Sequence, residues 1–251
     1  MTAHDPSAAA RGTTDPMTGP PPRAGLVIAI DGPASSGKSS VGAAAALNLG
    51  YRFCDTGLLY RALTDLALRR GVGLGDAAGL VPLVDEVQLA PEADGRLARV
   101  LIDGVDVTDE VRRPEVDRSV SEVSRVPEVR AALLARQRAL AAPGGIVMAG
   151  RDIGTVVLPD ADLKIFLDAS AEERARRRAE ERGLESGSPE AMAILADLRR
   201  RDDLDRNRPV APLAAAADAV HIASDGNTFE QTVASVEAVI RAARTGGRPD
   251  G

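Results

Sequence analysis

The sequence predicts an α/β protein in which helices cover both faces of a five-stranded parallel sheet. Five short apolar runs alternate with stretches of helical periodicity along the 251 residues, as is typical of repeated strand–helix units. A glycine-rich turn follows the first apolar run, where an open α/β sheet places its ligands. Aromatic residues make up only 2% of the chain, so we expect a core of Leu, Val, Ile and Ala.

The predicted elements follow one another in a regular order. The apolar runs predicted as strands are 26–30, 51–54, 146–149, 163–167 and 219–223. The stretches predicted as helices are 41–49, 57–70, 127–140, 171–182, 189–202 and 228–243. Pro127 and Pro189 lie at the starts of their helices, where a proline removes no helical hydrogen bond.

One segment departs from this order. Residues 81–108 alternate apolar and polar side chains in the manner of a β-hairpin, and Asp94-Gly95 and Asp103-Gly104 are favourable turn dipeptides. We therefore expect a β-containing region inserted between the second and third strands of the sheet.

The turn after the first strand matches the G-x-x-x-x-G-K-[ST] pattern of a nucleotide phosphate-binding loop, or P-loop. It consists of Gly32, Pro33, Ala34, Ser35, Ser36, Gly37, Lys38 and Ser39, followed by Ser40. The helix that follows would point its first backbone N–H groups at a phosphate. Lys38 can place a charge on the β/γ-phosphates, and the Ser39 hydroxyl can hold Mg2+. The alternative is a glycine turn that only joins a core strand to a helix.

Composition excludes several classes of protein. The net charge of −6 and the scarcity of aromatic residues argue against a general nucleic-acid binder. Cys54 is the single cysteine, so no intrachain disulfide is possible. No apolar run approaches the length of a membrane span, and the N-terminus lacks the apolar segment of a signal peptide. We expect a cytoplasmic monomer that binds neither membrane nor nucleic acid.

Arginine dominates the basic residues, because Lys38 and Lys164 are the only lysines among 31 lysines and arginines. Residues 174–208 carry ten arginines among eight acidic residues. Part of this run has the spacing of ion pairs on a solvated helix, which we expect for Arg176, Arg182, Arg199 and Arg200. Residues 205–209 are predicted to form a loop, because Pro209 disfavours helix before it.

Arginines in such numbers suit an enzyme that transfers a phosphoryl group between two polyanions. Fixed cations would neutralise charge in the transition state, and an arginine-bearing lid would exclude water. A P-loop alone does not name the reaction, since ATPases, GTPases and small-molecule kinases share it. The sequence contains neither an Asn-Lys-x-Asp guanine motif nor a strand that ends in Asp-Glu, which argues against a hydrolase.

Five segments of the chain resemble the bacterial cytidylate kinases, which are nucleoside monophosphate kinases. They are residues 30–40, 55–61, 150–157, 164–170 and 201–208, and their order and spacing match the family over about 26–243. The resemblance implies transfer of phosphate from ATP to CMP and dCMP, with Mg2+. It also implies that the β-containing insertion enlarges the monophosphate-binding region.

The resemblance implies roles for individual residues. Residues 32–40 would bind the ATP phosphates, with Ser39 on Mg2+, and Arg174 and Arg177 would reach the same phosphates. Arg61 and Arg151 would hold the CMP phosphate, with Thr56 near the acceptor nucleotide. The cytosine would contact Ser121, Arg130, Asp152 and Arg208, and the sugar would contact Arg201 and Asp205. The catalytic cations would be Lys38, Arg61, Arg151 and Arg208. From the residues alone, Ser121 and Arg130 could also be solvated positions on helix surfaces.

These roles divide the chain into functional regions. A disordered leader is expected at 1–24, which carries five prolines, and a flexible tail at 244–251. The core would comprise 25–60, 126–173 and 209–243, the monophosphate-binding region 61–125, and the arginine-rich lid 174–208. Two other functions stay open: a P-loop kinase for another small acceptor, such as UMP or shikimate, and a P-loop switch protein that hydrolyses its nucleotide.

Overall fold

A mixed β-sheet runs through the protein, of which the computed structural model describes residues 25–246. The strands are β1 (Val27–Asp31), β2 (Arg52–Asp55), β3 (Val87–Pro91), β4 (Arg96–Ile102), β5 (Val105–Asp106), β6 (Ile146–Gly150), β7 (Leu163–Asp168) and β8 (Val220–Ala223). Their order across the sheet is β3-β4-β2-β6-β1-β7-β8, and β5 pairs with β4. The predicted leader 1–24 and tail residues 247–251 lie outside the described residues.

Helices cover both faces of this sheet. They are α1 (Lys38–Leu49), α2 (Gly57–Arg70), α3 (Ala77–Leu83), α4 (Pro114–Val123), α5 (Pro127–Ala141), α6 (Ala171–Glu181), α7 (Pro189–Arg206) and α8 (Phe229–Arg244). The alternation of side chains along β1 shows how the two layers form: Ile28 and Ile30 pack with residues of α1 and α8, whereas Val27 and Ala29 face the opposite cluster. No helix within residues 25–246 is long and apolar enough to cross a membrane.

The predicted α/β fold is confirmed, and each predicted strand lies within about one residue of an observed one. The five strands β2, β6, β1, β7 and β8 are parallel to one another. The predicted number of strands was wrong, because the described residues form an eight-stranded sheet.

The additional strands come from the predicted insertion. Strand β4 pairs in parallel with β2, through Phe53 opposite Arg96 and Cys54 opposite Leu97. Strands β3 and β5 then pair antiparallel to β4. The insertion therefore satisfies backbone groups at the edge of β2, which would otherwise be unpaired, instead of forming a sheet of its own.

The structure also corrects the end of one helix. Helix α7 continues to Arg206, so Asp205 and Arg206 are helical and the predicted 205–209 loop begins only at Asn207. Pro209 disfavours helical geometry at Arg208 alone, so the preceding turn can stay helical. Asp205 consequently projects from a helix, which holds a side chain more rigidly than a loop does.

The insertion shares its own hydrophobic core with α2, α3 and α5. Leu63 of α2 is fully buried in this cluster together with Leu80, Val100 and Leu133. Because α2 begins directly after Thr56 and carries Arg61, this core sets the position of a predicted substrate-binding arginine.

We expect Leu63→Ala to lower the free energy of unfolding by about 2–5 kcal/mol, because it leaves a cavity among packed aliphatic side chains. Leu68 on the same helix is 37% exposed, whereas Leu63 is 0% exposed. The control Leu68→Ala should therefore change the free energy of unfolding by only about 0.5 kcal/mol. Urea unfolding measures both, and equal losses in the two variants would contradict the packing described for α2.

Candidate active site

The predicted P-loop forms a tight turn between β1 and α1. Gly37 adopts a left-handed conformation with φ of 88°, which glycine accommodates without strain. At Gly32, a Cβ atom would lie 2.1 Å from the backbone oxygen of Leu167, so only glycine fits against the end of β7. The loop thus brings the backbone N–H groups at the start of α1 to the rim of the sheet.

Two side chains of this loop face the carboxyl end of the sheet. Lys38 donates from Nζ to the Pro33 carbonyl at 2.8 Å, and burial together with the charge of Arg151 holds its pKa well below the ordinary value. Ser39 donates from Oγ to Asp55 Oδ2 at 2.7 Å. The Ser36 hydroxyl is buried and has no hydrogen-bond partner within residues 25–246. Ser36, Lys38 and Ser39 all line a second cavity, whose other walls include residues of α6.

Asp31 joins the P-loop to the turn that follows β6. Its carboxylate accepts hydrogen bonds from the backbone N–H groups of Ile153 and Gly154, at 2.7 Å each. These residues begin a single turn of π-helix directly after Arg151 and Asp152. Asp31 therefore fixes two predicted site residues relative to the loop. Asp31 received no predicted role, although an aspartate at the end of an otherwise apolar strand was a usable signal.

A cavity of about 490 Å³ opens beside the P-loop at the carboxyl ends of β1, β2 and β6. Every residue predicted to bind the acceptor nucleotide lines it: Thr56, Arg61, Ser121, Arg130, Arg151, Asp152, Arg201, Asp205 and Arg208. Nine basic and five acidic side chains line the cavity, in a protein whose net charge is −6. The structure thus brings residues from 56 to 208 into one positively charged pocket.

One end of this pocket is organised around Asp152. Its carboxylate accepts hydrogen bonds from Arg130 and from Arg208 Nη2, the latter at 2.9 Å. The Arg130 guanidinium also lies 5.5 Å from the centre of the Tyr60 ring. Ser121 and Arg130 are buried, so the alternative that they are solvated helix positions is wrong. This end can donate hydrogen bonds to a planar polar ligand and can accept hydrogen bonds from it.

Charged pairs also organise the other end. Arg151 donates from Nε to Asp205 at 2.8 Å, and Arg61 donates from Nη2 to Asp117 at 2.6 Å. Arg201 donates to the same Asp117 carboxylate at 3.0 Å. Thr56 also lines the cavity, and its hydroxyl donates to the Ala149 carbonyl at 2.9 Å.

The arginines predicted to reach the ATP phosphates make contacts within the protein. Arg174 is 2% exposed, pairs with Asp202 of α7, and donates to the carbonyl of Ala34 in the P-loop at 2.8 Å. Arg177 pairs with Glu173 and donates to the Ser224 carbonyl. In this structure both arginines tie α6 to neighbouring elements, and their contact with ATP stays a prediction.

Other arginines of this region differ in their surroundings. Arg176 and Arg200 form ion pairs within their own helices, as predicted. Arg199 is exposed, but it pairs with Glu172 of α6 and not with a residue of its own helix. Arg182 is also exposed, but it lines the mouth of the cavity. Arg178 received no predicted role, yet it donates to Ser35 of the P-loop at 3.1 Å and also binds Asp117. No motif distinguishes Arg178 from the adjacent arginines, so only the structure selects it.

The fold and the glycine-rich loop define the chain as a P-loop protein. The family model described as cytidylate kinase matches residues 28–242. A cytidylate kinase from Pelotomaculum thermopropionicum is 48% identical over 219 residues, which cover 86% of this chain and 96% of that protein. A cytidylate kinase from Roseiflexus castenholzii is 48% identical over 219 residues, which cover 85% of this chain and 93% of that protein. The chain therefore belongs to the cytidylate kinase family, as its motifs predicted.

The contacts of Asp31 generate a prediction about stability and pH. Burial raises the pKa of Asp31 from 3.8 to about 6, against the opposing effect of its two backbone hydrogen bonds. The folded protein then holds this proton more tightly than the unfolded chain does. Relative to Asp31→Asn, which cannot ionise, the wild type should lose stability as the pH rises from about 4 to about 6, and no further above about 6.

Urea unfolding of both proteins between pH 4.5 and 7.5 measures this difference. Asp197→Asn, which changes a partly exposed carboxylate of α7 that is paired with Arg200, is the control and should follow the wild type. If the curves for wild type and Asp31→Asn run parallel across the range, the Asp31 carboxyl does not titrate there.

Proposed function

We propose that this protein transfers the γ-phosphoryl group of ATP to CMP, and to dCMP, giving ADP and CDP or dCDP in pyrimidine nucleotide metabolism. The observation that carries the proposal is the convergence of all nine predicted acceptor-binding residues in one cavity beside the P-loop. The excess of positive side chains there suits two nucleotides that each bring negative phosphates. Membership of the cytidylate kinase family supports the choice of acceptor.

The two ends of the cavity would bind different parts of the acceptor nucleotide. Asp152 would accept a hydrogen bond from the exocyclic amine of cytosine, because a carboxylate keeps lone pairs beyond the two that Arg130 and Arg208 use. Ser121 and the two arginines would donate to the ring N3 and O2 atoms. Arg201 and Asp205 would contact the sugar.

The opposite end would hold the reacting phosphates. Arg61 and Arg151 would bind the acceptor phosphate, since a planar guanidinium can hold two phosphate oxygens at once. Lys38 would leave the Pro33 carbonyl for the β- and γ-phosphates of ATP. An oxygen of the CMP phosphate then attacks the γ-phosphorus directly, and no protein nucleophile is required. Helices α6 and α7, which carry the predicted lid, border the cavity and would exclude water.

The residues at the start of α1 fit a magnesium ion. Ser39 Oγ and Asp55 Oδ2 lie 2.7 Å apart, and both line the cavity. Hydroxyl and carboxylate oxygens are the ligands that Mg2+ prefers. Ser39 would hold the ion, with Asp55 beside it, and a bound Mg2+ would neutralise charge on the ATP phosphates.

We place the enzyme in the cytoplasm as a monomer that acts on free nucleotides and binds neither nucleic acid nor membrane. The net charge of −6 and the single cysteine support this placement.

The first experiment measures ADP release from ATP and Mg2+ with CMP, dCMP, UMP, AMP or GMP supplied one at a time. We expect strong stimulation by CMP and dCMP only, because Asp152 and its arginines select cytosine. Stimulation by another acceptor would make the protein a different small-acceptor kinase. Turnover that is the same with and without every monophosphate would instead indicate a nucleotide-hydrolysing switch.

Asp152→Ala tests the assignment of the cytosine-binding end. We expect the KM for CMP to rise about tenfold or more while the KM for ATP changes little, because the loss removes a carboxylate that would bind the base and that positions Arg130 and Arg208 beside it. Initial rates at varied CMP and ATP give both constants, with Asp197→Asn as the control of unchanged kinetics. A fall in ATP affinity with CMP affinity preserved would make Asp152 a metal-site residue.

A further inference from the structure

Asp117 of α4 gathers three arginines from three other helices. Arg61 of α2 and Arg201 of α7 both bind Oδ1 of its carboxylate, at 2.6 and 3.0 Å. Arg178 of α6 binds Oδ2. No motif in the sequence marks Asp117, and the proposed reaction gives it no role.

The cluster has fewer acceptors than its arginines can use. One carboxylate faces three guanidiniums, and their other hydrogen bonds within residues 25–246 go to neutral groups, namely the Val111 carbonyl for Arg61 and the Ser35 hydroxyl for Arg178. Arg201 is 4% exposed, yet its Nε has no hydrogen-bond partner within residues 25–246. Burial alone would raise the pKa of Asp117, but the three arginines hold it well below its ordinary value. The cluster is therefore a positively charged site with a carboxylate inside it.

The same arginines border the places that substrate phosphates would take. Arg61 is assigned to the acceptor phosphate, and Arg178 contacts Ser35 of the P-loop, on the side of the donor. Asp117 thus accepts hydrogen bonds from arginines that border both the proposed CMP site and the proposed ATP site. Its helix also carries Ser121, one turn later, on the same face.

We propose that Asp117 is a specificity-determining residue, an internal anion that occupies Arg61, Arg178 and Arg201 until a nucleotide phosphate displaces it. A small free anion must compete with a carboxylate that is tethered at high effective concentration. A nucleoside phosphate overcomes this competition, because its base binds at the Asp152 end of the cavity and its sugar adds contacts to Arg201 and Asp205. Asp117 therefore keeps inorganic phosphate out of the site while admitting the nucleotide. This inference rests on the proposed function, which assigns Arg61 to the acceptor phosphate.

The test is the affinity of Asp117→Asn for inorganic phosphate. The amide keeps a hydrogen-bond acceptor but removes the negative charge, which repels phosphate. We expect titration calorimetry in a chloride buffer of low ionic strength to show a phosphate Kd about tenfold or more below that of the wild type. Phosphate should also become a correspondingly stronger competitive inhibitor against CMP. Asp117→Glu, which restores the charge, should restore weak phosphate binding.

Asp65→Asn provides the matched control. Asp65 is a buried carboxylate of α2 that also pairs with two arginines, Arg69 and Arg113, and it does not line the cavity. Its replacement should leave the Kd for phosphate unchanged. If Asp117→Asn binds phosphate no more tightly than the wild type, or less tightly, Asp117 only supports the fold and the proposal is wrong.

If Asp117→Asn does not fold, a second measurement tests the proposal on the wild-type protein. Hydrogen exchange of the wild-type protein reports on the backbone of Pro114–Val123 with CMP, with cytidine, with inorganic phosphate, and with none of them. CMP should alter exchange in this helix more than cytidine does, since cytidine would reach Ser121 but brings no phosphate, whereas inorganic phosphate at the same concentration should not alter it. Equal effects of CMP and cytidine, or of CMP and phosphate, overturn the proposal. Phosphate binding requires no turnover, so failure here is distinct from an absence of CMP-stimulated ADP release, which would overturn the proposed function itself.

Discussion

The active-site structure depends on one electrostatic constraint, that several arginines are buried around a single cavity. Arg130, Arg201 and Arg208 are almost inaccessible to solvent. Removing a guanidinium from water raises the free energy of the folded protein unless hydrogen-bond acceptors surround the group. The protein meets the constraint with three buried carboxylates, Asp117, Asp152 and Asp205, each of which binds at least one arginine from a different segment of the chain. Helices, strands and loops are therefore held in the positions that keep these pairs intact.

Such pairs contribute little to stability, since the desolvation of both charges offsets much of their attraction. Their arrangement is better explained by the phosphates that the site is proposed to hold. A cavity with nine basic and five acidic side chains has room for additional negative charge. Asp152 and Asp205 keep their arginines in place before a substrate arrives, whereas Asp117 is proposed to release its arginines to a nucleotide phosphate.

The parallel sheet supplies the geometry in which these charges can meet. Strands β1, β2 and β6 end at the same edge, and the residues that follow them form the P-loop, the turn at Thr56 and the turn at Arg151. Asp31 makes this edge rigid, because it lies at the end of one strand and binds the backbone of the turn after another. Asp31 therefore acts through the backbone, whereas the arginines that line the cavity are proposed to bind the ligand.

Much of the fold could be predicted from the sequence because its signals are local. Apolar runs, proline positions and the glycine pattern of the P-loop depend on neighbours within a few residues, and they located the parallel strands and the nucleotide-binding loop. Every residue that the family motifs predicted to bind the acceptor nucleotide lines the cavity. The pairing of β4 with the edge of β2 could not be read in this way, because strand pairing across the sheet leaves no local pattern. The continuation of α7 through Asp205 was not predicted. Pro209 disfavours helical geometry at the residue before it, but it does not determine at which earlier residue the helix ends.

By itself, the sequence determined the class of fold, the P-loop and the family, since each is carried by short segments whose chemistry requires particular residues. Only the tertiary structure decided which arginines share a carboxylate. Arg176 and Arg178 are two residues apart on α6, yet one is exposed in a surface ion pair and the other reaches Asp117 and Ser35 inside the cavity. The physical reason is that successive side chains of a helix point in different directions, and the packing of α6 against the rest of the protein decides which of them faces the site.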